Sequence, residues 1–294
     1  MVLVFRVRGA GAGVFVKERG VRFRFGAVLL AIALLGTGCA AKGDGNSVAA
    51  RAAATDKLTI GVGFDQPGLG RKITDTWFEG FDVDVATYVA GELGVAAENI
   101  VWKEAKAPDR EAMIQDGRVD LVVATYSITE ARKQRVGFAG PYFLAGQGLL
   151  VSQGTTNITG PESLDGKKLC SVKNSTSAQK VKERYAKGAQ LVEYFRYSEC
   201  VNALLVRNVD AVTTDDVILA GFATQHPELL KLVGKPFSEE RYGVGLRRED
   251  ADGKAKVNAA IEKMISSGAW RRSIEKHIGP SGYPVPAPPA ITER

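Results

Sequence analysis

The chain has 294 residues, 45% of them apolar and 24% charged, which is material for one large or two medium globular domains rather than a disordered or fibrous protein. Most of its net charge of +6 sits at the start: Arg6, Arg8, Lys17, Arg19, Arg22 and Arg24 precede Cys39 with Glu18 as the only acid, and the remainder holds 33 bases against 32 acids. A nearly neutral remainder excludes the footprint of a phosphate-backbone binder, and two His with three Cys argue against a metal cluster, so no nucleic acid, metal or cofactor is expected.

Residues 1–38 read as a lipoprotein signal peptide. Positions 17–25 are basic and aromatic, and Ala27 to Leu35 is an uncharged run far shorter than the roughly 20 residues that cross a bilayer. Leu35-Gly36-Thr37-Gly38-Cys39 resembles the site where lipoprotein signal peptidase cuts and leaves a lipidated cysteine. An ordinary secretory peptide with a chance cysteine is the alternative. The expectation is an extracytoplasmic chain, lipid-anchored through Cys39 to the outer face of the cell membrane. Residues 39–55, rich in Ala, Gly, Asn and Ser, read as a flexible tether. In an oxidising compartment Cys170 and Cys200, 30 positions apart with no third thiol to compete, predict a disulfide tying a strand to a helix; two buried free thiols are the alternative.

Strand and helix patterns then alternate. Lys57 to Phe64 reads as a strand, and Phe81, Val85, Val89 and Leu93 recur at helical spacing before Gly94. A helix near Asp109 to Asp116, a strand Val119 to Thr125, a short helix after Thr129 and a strand Gly148 to Ser152 follow. A second run begins at Lys167: strand to Val172, helix Ser177 to Lys187, strand Gln190 to Phe195, helix Ser198 to Arg207, strand Val209 to Thr213, helix from Asp216. Tyr242 to Leu246 reads as a strand, Val257, Ala260, Ile261, Met264 and Ile265 as a helical stripe continued by Trp270, Ile274 and Ile278, and the Pro-rich tail 279–294 as irregular. Repeated β-α units predict α/β sheets with ligands at the carboxyl ends of strands.

Four segments in this order carry a resemblance: Gly80-Phe81-Asp82-Val83-Asp84-Val85-Ala86, the stretch from Val119 to Lys133, Val172-Lys173-Asn174-Ser175-Thr176-Ser177, and Val209-Asp210-Ala211-Val212-Thr213-Thr214-Asp215. Together, from about Lys57 to His277, they resemble the polar amino-acid-binding proteins of ABC importers, and look closest to the glutamate-binding lipoproteins of Gram-positive bacteria, where Asp65-Gln66-Pro67-Gly68-Leu69-Gly70 also has its like. The resemblance implies a two-lobe, type II periplasmic-binding-protein-like clamshell. Lobe 1 would comprise 56–147 and 243–278, lobe 2 would comprise 148–242, and the chain would cross near Gln147 to Val151 and Phe237 to Gly243. It implies a monomer that binds a free amino acid, glutamate first and then glutamine or aspartate, and delivers it to a permease. An amino-acid-sensing receptor subunit is the alternative, with a clamshell dehydratase behind it. No Ser-His-Asp or Cys-His set supports catalysis: His226 precedes Pro227, His277 lies in the terminal helix, and both later cysteines enter the bridge.

An amino acid presents a carboxylate and an ammonium on one carbon, so its pocket needs a cation or backbone donors for one and an acid or hydroxyls for the other. The resemblance makes Arg132 the carboxylate clamp, with a fork suited to two parallel hydrogen bonds. Thr125 and Ser127 would supply acceptors for the ammonium, and Thr176 and Ser177 hydroxyls and N–H groups at a helix start. Asp215 would pair with the ammonium, with Asp216 able to exchange roles with it. For a side-chain carboxylate, Lys173 and Arg71 are preferred over Lys72, Lys106 and Arg110. Many relatives stack an aromatic ring near the region of Ala107; here Trp77, Phe78 or Tyr126 would have to substitute.

Overall fold

The computed structural model describes residues 47–185 and 187–294; the leader, Cys39 and the first part of the expected tether lie outside them. The chain opens with α1 (Val48–Thr55), β1 (Leu58–Val62), β2 (Asp65–Gln66), β3 (Gly70–Lys72), β4 (Phe78–Glu79), α2 (Phe81–Glu92), β5 (Ile100–Glu104), α3 (Arg110–Gln115), β6 (Leu121–Val122), α4 (Glu130–Lys133) and β7 (Gly137–Ala145). It continues with β8 (Gln147–Ser152), β9 (Lys168–Val172), α5 (Thr176–Arg184), β10 (Gln190–Tyr194), α6 (Tyr197–Leu205), β11 (Ala211–Asp215), α7 (Asp216–Gln225) and β12 (Leu230–Val233), and returns through β13 (Glu240–Leu246), α8 (Ala251–Ser266) and α9 (Ala269–His277).

Two five-stranded sheets result, in the orders β5-β1-β6-β13-β7 and β10-β9-β11-β8-β12. In each, parallel β-α units supply three neighbouring strands (β5, β1, β6 and β10, β9, β11), and the strands next to the crossings complete the sheet antiparallel. This is the expected two-lobe α/β architecture. The outward crossing is a single residue, Gly146, between β7 and β8, which corrects the expected crossing near Gln147 to Val151: those residues, Gln147 included, pair with β11 and β12 in lobe 2. The return lies between Val233 and Glu240, because Glu240, Arg241 and Tyr242 pair with Ala145, Leu144 and Phe143 in the first sheet. Residues 240–242 therefore belong to lobe 1, three positions earlier than the sequence reading placed the return. Strand β7 is the reason. Its burial on both faces removes the alternation that marks a strand, and Gly140-Pro141 interrupts it, so the partner that sets the start of β13 was not read.

Residues 47–55 correct the flexible-tether reading. Ser47 caps α1 by accepting from the Ala50 N–H at 3.0 Å, and Val48, Ala49 and Ala52 are buried. The Val48 N–H donates to Asp250 Oδ2 at 2.7 Å, tying α1 to the start of α8. The alanines that suggested a spacer are helix formers once one face has somewhere to pack. The tail has no regular structure beyond a short turn of helix at Gly279–Ser281, as expected, yet it is docked: the N–H groups of Thr292 and Glu293 donate to the Gly140 carbonyl and Asn258 donates to that of Glu293.

The predicted bridge is present. Cys170 in β9 and Cys200 in α6 form a fully buried disulfide with Cα atoms 5.6 Å apart. It pins α6 beneath the strand whose end opens into the space between the lobes.

Candidate functional site

The ends of β1 and β6 in lobe 1 face those of β9 and β11 in lobe 2. Between them lies a narrow cleft lined by Arg110, Thr125, Ser127 and Arg132 on one side and Thr176, Ser177, Tyr197 and Asp215 on the other.

On the lobe 1 side, Thr129 caps α4 by accepting from the Arg132 N–H at 3.2 Å. The helix lasts one turn, which turns Arg132 back under β6, 9% exposed. Its Nη1 donates to the Ser127 carbonyl at 2.7 Å, its Nε lies 3.4 Å from Glu111, and its Nη2 reaches the Asn174 carbonyl of lobe 2 at 3.4 Å. Burial, then the neighbouring Arg110, lowers its pKa. The guanidinium carbon of Arg110 stands 5.3 Å from the centre of the Tyr126 ring and that of Arg132 stands 5.0 Å from it. Two buried guanidinium groups are thus held beside one aromatic ring. Arg110 donates from Nε to the Ala105 carbonyl at 3.2 Å and has no carboxylate partner among the described residues.

On the lobe 2 side, α5 starts at Thr176 with no side chain capping its first N–H groups, which leaves a positive helix end toward the cleft. The Ser177 carbonyl is fixed by Gln147 Nε2 at 2.7 Å, so a residue next to the crossing aims this helix end. Asp215 closes β11. Its Oδ2 accepts from the Tyr242 hydroxyl at 2.5 Å, while its Oδ1 is buried without a hydrogen-bond partner among the described residues. Burial first, then the nearby Glu240, raises its pKa to about 8 against the lowering pull of Tyr242. Asp216 is otherwise engaged: its Oδ1 accepts from the Gly146 and Val217 N–H groups and from the Tyr283 hydroxyl.

Beyond this inner space the cleft continues toward Phe64, Asp65, Glu104, Lys106, Phe195 and Arg196. Here the lobes are joined directly. Arg196 grips Glu104 with Nε and Nη2 at 2.6 and 2.7 Å, and Asp65 accepts from the Ser198 N–H at the start of α6 at 3.0 Å. On the other flank, α7 of lobe 2 meets the lobe 1 loop so closely that a β-carbon on Gly221 would collide with the Pro67 carbonyl.

Of the residues singled out in the sequence, Arg132, Thr125, Ser127, Thr176, Ser177 and Asp215 come together. Lys173 and Arg71 do not join them. Lys173 is exposed, its Nζ 5.9 Å from the centre of the Phe195 ring, and exposed Arg71 lines a separate cavity with Pro67, Gly221 and His277. Lys173 sits in the turn after β9 and Arg71 on the three-residue strand β3, both at exposed positions whose side-chain directions spacing alone does not set. Arg110 takes the place considered for them, because the first turn of α3 carries it inward. Ala107 does line the cleft. Trp77 is 56% exposed at the hairpin end, Phe78 packs with Phe64 and Trp102, and Tyr126 underlies the two guanidinium groups. Tyr197 was missed; it lines both parts of the cleft, and only its place at a helix start could have pointed to it.

This arrangement has counterparts. Residues 58–280 match the family model of the bacterial extracellular solute-binding proteins, family 3. The chain is 43% identical over 268 residues to the glutamate-binding protein GluB of Corynebacterium glutamicum, covering 87% of this chain and 90% of that protein. It is 37% identical over 225 residues to the ABC transporter glutamine-binding protein GlnH of Bacillus subtilis, covering 76% and 81%. Among solved structures, an ancestral arginine-binding protein bound to glutamine superposes with a TM-score of 0.71 at 35% identity, covering 76% of this chain and 98% of that one. With a family model spanning most of its length and relatives this similar along theirs, the chain belongs to the bacterial extracellular solute-binding proteins of family 3.

Proposed function

We propose that the protein captures a free polar amino acid, glutamate before glutamine or aspartate, outside the cytoplasmic membrane and hands it to the permease of an ABC transporter. The observation that carries this reading is one cleft holding two buried guanidinium groups, Arg110 without a carboxylate partner, opposite a buried carboxylate oxygen of Asp215 without a hydrogen-bond partner, both among the described residues. One acid and two cations complement an ammonium and two carboxylates. The names of GluB and GlnH agree with it.

In this reading Arg132 and the first N–H groups of α5 hold the α-carboxylate, Asp215 with Thr125 and Ser127 holds the ammonium, and Arg110 reads the side-chain carboxylate. Lipid anchoring through Cys39 and action as a monomer belong to the same proposal. It is a binding reading and not an enzymatic one. Each lobe grips part of the ligand, so the bound amino acid adds contacts that exist only in the closed form and shifts the population toward it.

A thermal-shift panel of the twenty amino acids on the mature protein tests the reading. Ligand at 100 times its dissociation constant adds about 2.7 kcal/mol of stability. Glutamate is expected to give the largest shift at equal concentration. A panel led by an apolar or basic amino acid, or one with no shift at all, would refute it.

A further inference from the structure

Among the described residues, Thr125 is the only β-branched one in the left-handed backbone region, at φ 45°. Side chains of its shape rarely adopt that conformation, and such strain persists only where the surroundings over-determine it. Two groups do so here. The Thr125 N–H donates to Asp82 Oδ2 at 2.8 Å, and the Thr125 hydroxyl donates to Gln66 Oε1 at 3.2 Å. Asp82 is itself costly: it is fully buried near the start of α2, and what steadies it is the Thr125 N–H and the Tyr142 hydroxyl at 2.8 Å, with no base bonded to it among the described residues. A strained residue and a buried carboxylate without a bonded cation therefore meet in a single hydrogen bond, and the residue that it fixes lines the cleft.

We infer that Asp82 is a positioning residue for ligand capture, holding the Thr125 backbone in the left-handed conformation that sets Thr125 against the ammonium end of the bound amino acid. The inference rests on the capture reading above. Asp82 makes no contact with the ligand; it acts through Thr125.

The test is calorimetric titration of glutamate into wild type, Asp82→Leu, Asp82→Asn, Thr125→Gly and the double variant Asp82→Leu with Thr125→Gly. Leucine keeps the outline of aspartate and accepts nothing, so nothing holds the strained Thr125 backbone in its left-handed conformation, and affinity should fall about tenfold or more as that form is depopulated. Asparagine can turn its carbonyl oxygen to the Thr125 N–H and its amide to the oxygen of Tyr142, so Asp82→Asn should stay within about threefold of wild type. Glycine adopts positive φ unaided, so in the Thr125→Gly background the Asp82→Leu change should cost no more than about threefold.

Equal losses from Asp82→Leu in both backgrounds would show that Asp82 does not act through Thr125, and an Asp82→Asn loss as large as that of Asp82→Leu would show that charge rather than geometry matters; either overturns the inference. Should Asp82→Leu fail to fold, the double variant is expected to fold and bind, and its failure to do so would mark Asp82 as a core residue only. A wild-type protein that takes up no amino acid overturns this inference and the capture reading together, whereas wild-type binding with an unimpaired Asp82→Leu overturns this one alone.

Discussion

Tyr242 donates its hydroxyl to one oxygen of Asp215 at 2.5 Å, and the other oxygen of the same carboxylate is buried without a partner among the described residues. The donor comes from the strand that returns to lobe 1 and the acceptor from the end of a lobe 2 strand, so the carboxylate is oriented at the junction of the two.

Affinity should depend on pH through this group. Burial and Glu240 raise its pKa to about 8, with Asp216 adding to the rise and Tyr242 and Lys180 opposing it. At neutral pH the empty cleft then holds Asp215 mainly protonated, and an incoming ammonium must expel that proton. Binding should tighten from pH 6 toward 8, at a limiting slope of about tenfold per unit for one proton, and level off above. Titrations in two buffers of different ionisation enthalpy should show proton release near pH 7 in wild type and none in Asp215→Asn. That variant should also weaken every α-amino acid, by about tenfold to a hundredfold, the range for a charged hydrogen bond.

The same shift sets a stability trend with the opposite sense. A carboxyl whose pKa is raised on folding favours the folded state while protonated, and that contribution is lost as pH climbs from near 4 through the folded value. Asp215 at about 8 and Asp82 at about 6 both act in this direction. The ligand-free melting temperature of Asp215→Asn should therefore fall less between pH 5 and 8 than that of wild type, measured by calorimetry; parallel curves would contradict the assignment.

Arg132 and Arg110 should separate by ligand. Arg132→Ala is expected to remove detectable binding of all amino acids while the protein still melts cooperatively. Arg110→Met should cost glutamate about tenfold more than glutamine, since only the former loses a charged partner. Equal losses for the two ligands would place Arg110 on the α-carboxylate instead.

Closure has two tests at the flanks of the cleft. The Arg196 side chain is 38% exposed, so its pair with Glu104 is screened and should couple by only about 1 kcal/mol or less in a double-mutant cycle on binding. The loss should appear in the dissociation rate and shrink in high salt. Gly221→Ala should weaken binding more strongly without lowering ligand-free stability, because its methyl would meet the Pro67 carbonyl only when the lobes close.

Replacing Cys170 and Cys200 by serine opens a loop with a sequence separation of 30, and chain-entropy arguments put the cost at about 3 to 4 kcal/mol. Chemical denaturation of the two forms gives the difference directly. Because the bridge anchors α6, which carries Tyr197 and the Ser198 N–H, the serine form should also bind glutamate less tightly.

How much of this was legible in the sequence follows from which forces set each part. The β-α alternation and the disulfide depend on local pattern and cysteine count, and they read through. Arg132, Thr125, Ser127, Thr176, Ser177 and Asp215 stand at strand ends and helix starts, which motif order locates. Strand β7 did not read through because both of its faces are buried, and α1 did not because the same alanines suit a spacer or a helix until Asp250 and α8 supply a surface. Arg110 is one of five candidate cations that the sequence offers for the side-chain carboxylate; only the fold shows that α3 turns it inward while Lys173 and Arg71 point away. The left-handed turn at Thr125 has no glycine to announce it.

The docking of α1 also bears on which jaw the proposed anchor at Cys39 would hold. Its capping residue, its buried face and its bond to Asp250 all engage the lobe built from both ends of the chain. A leash drawn through the residues before Ser47 would pull on that half alone, so ligand capture would swing the other half toward a base already moored.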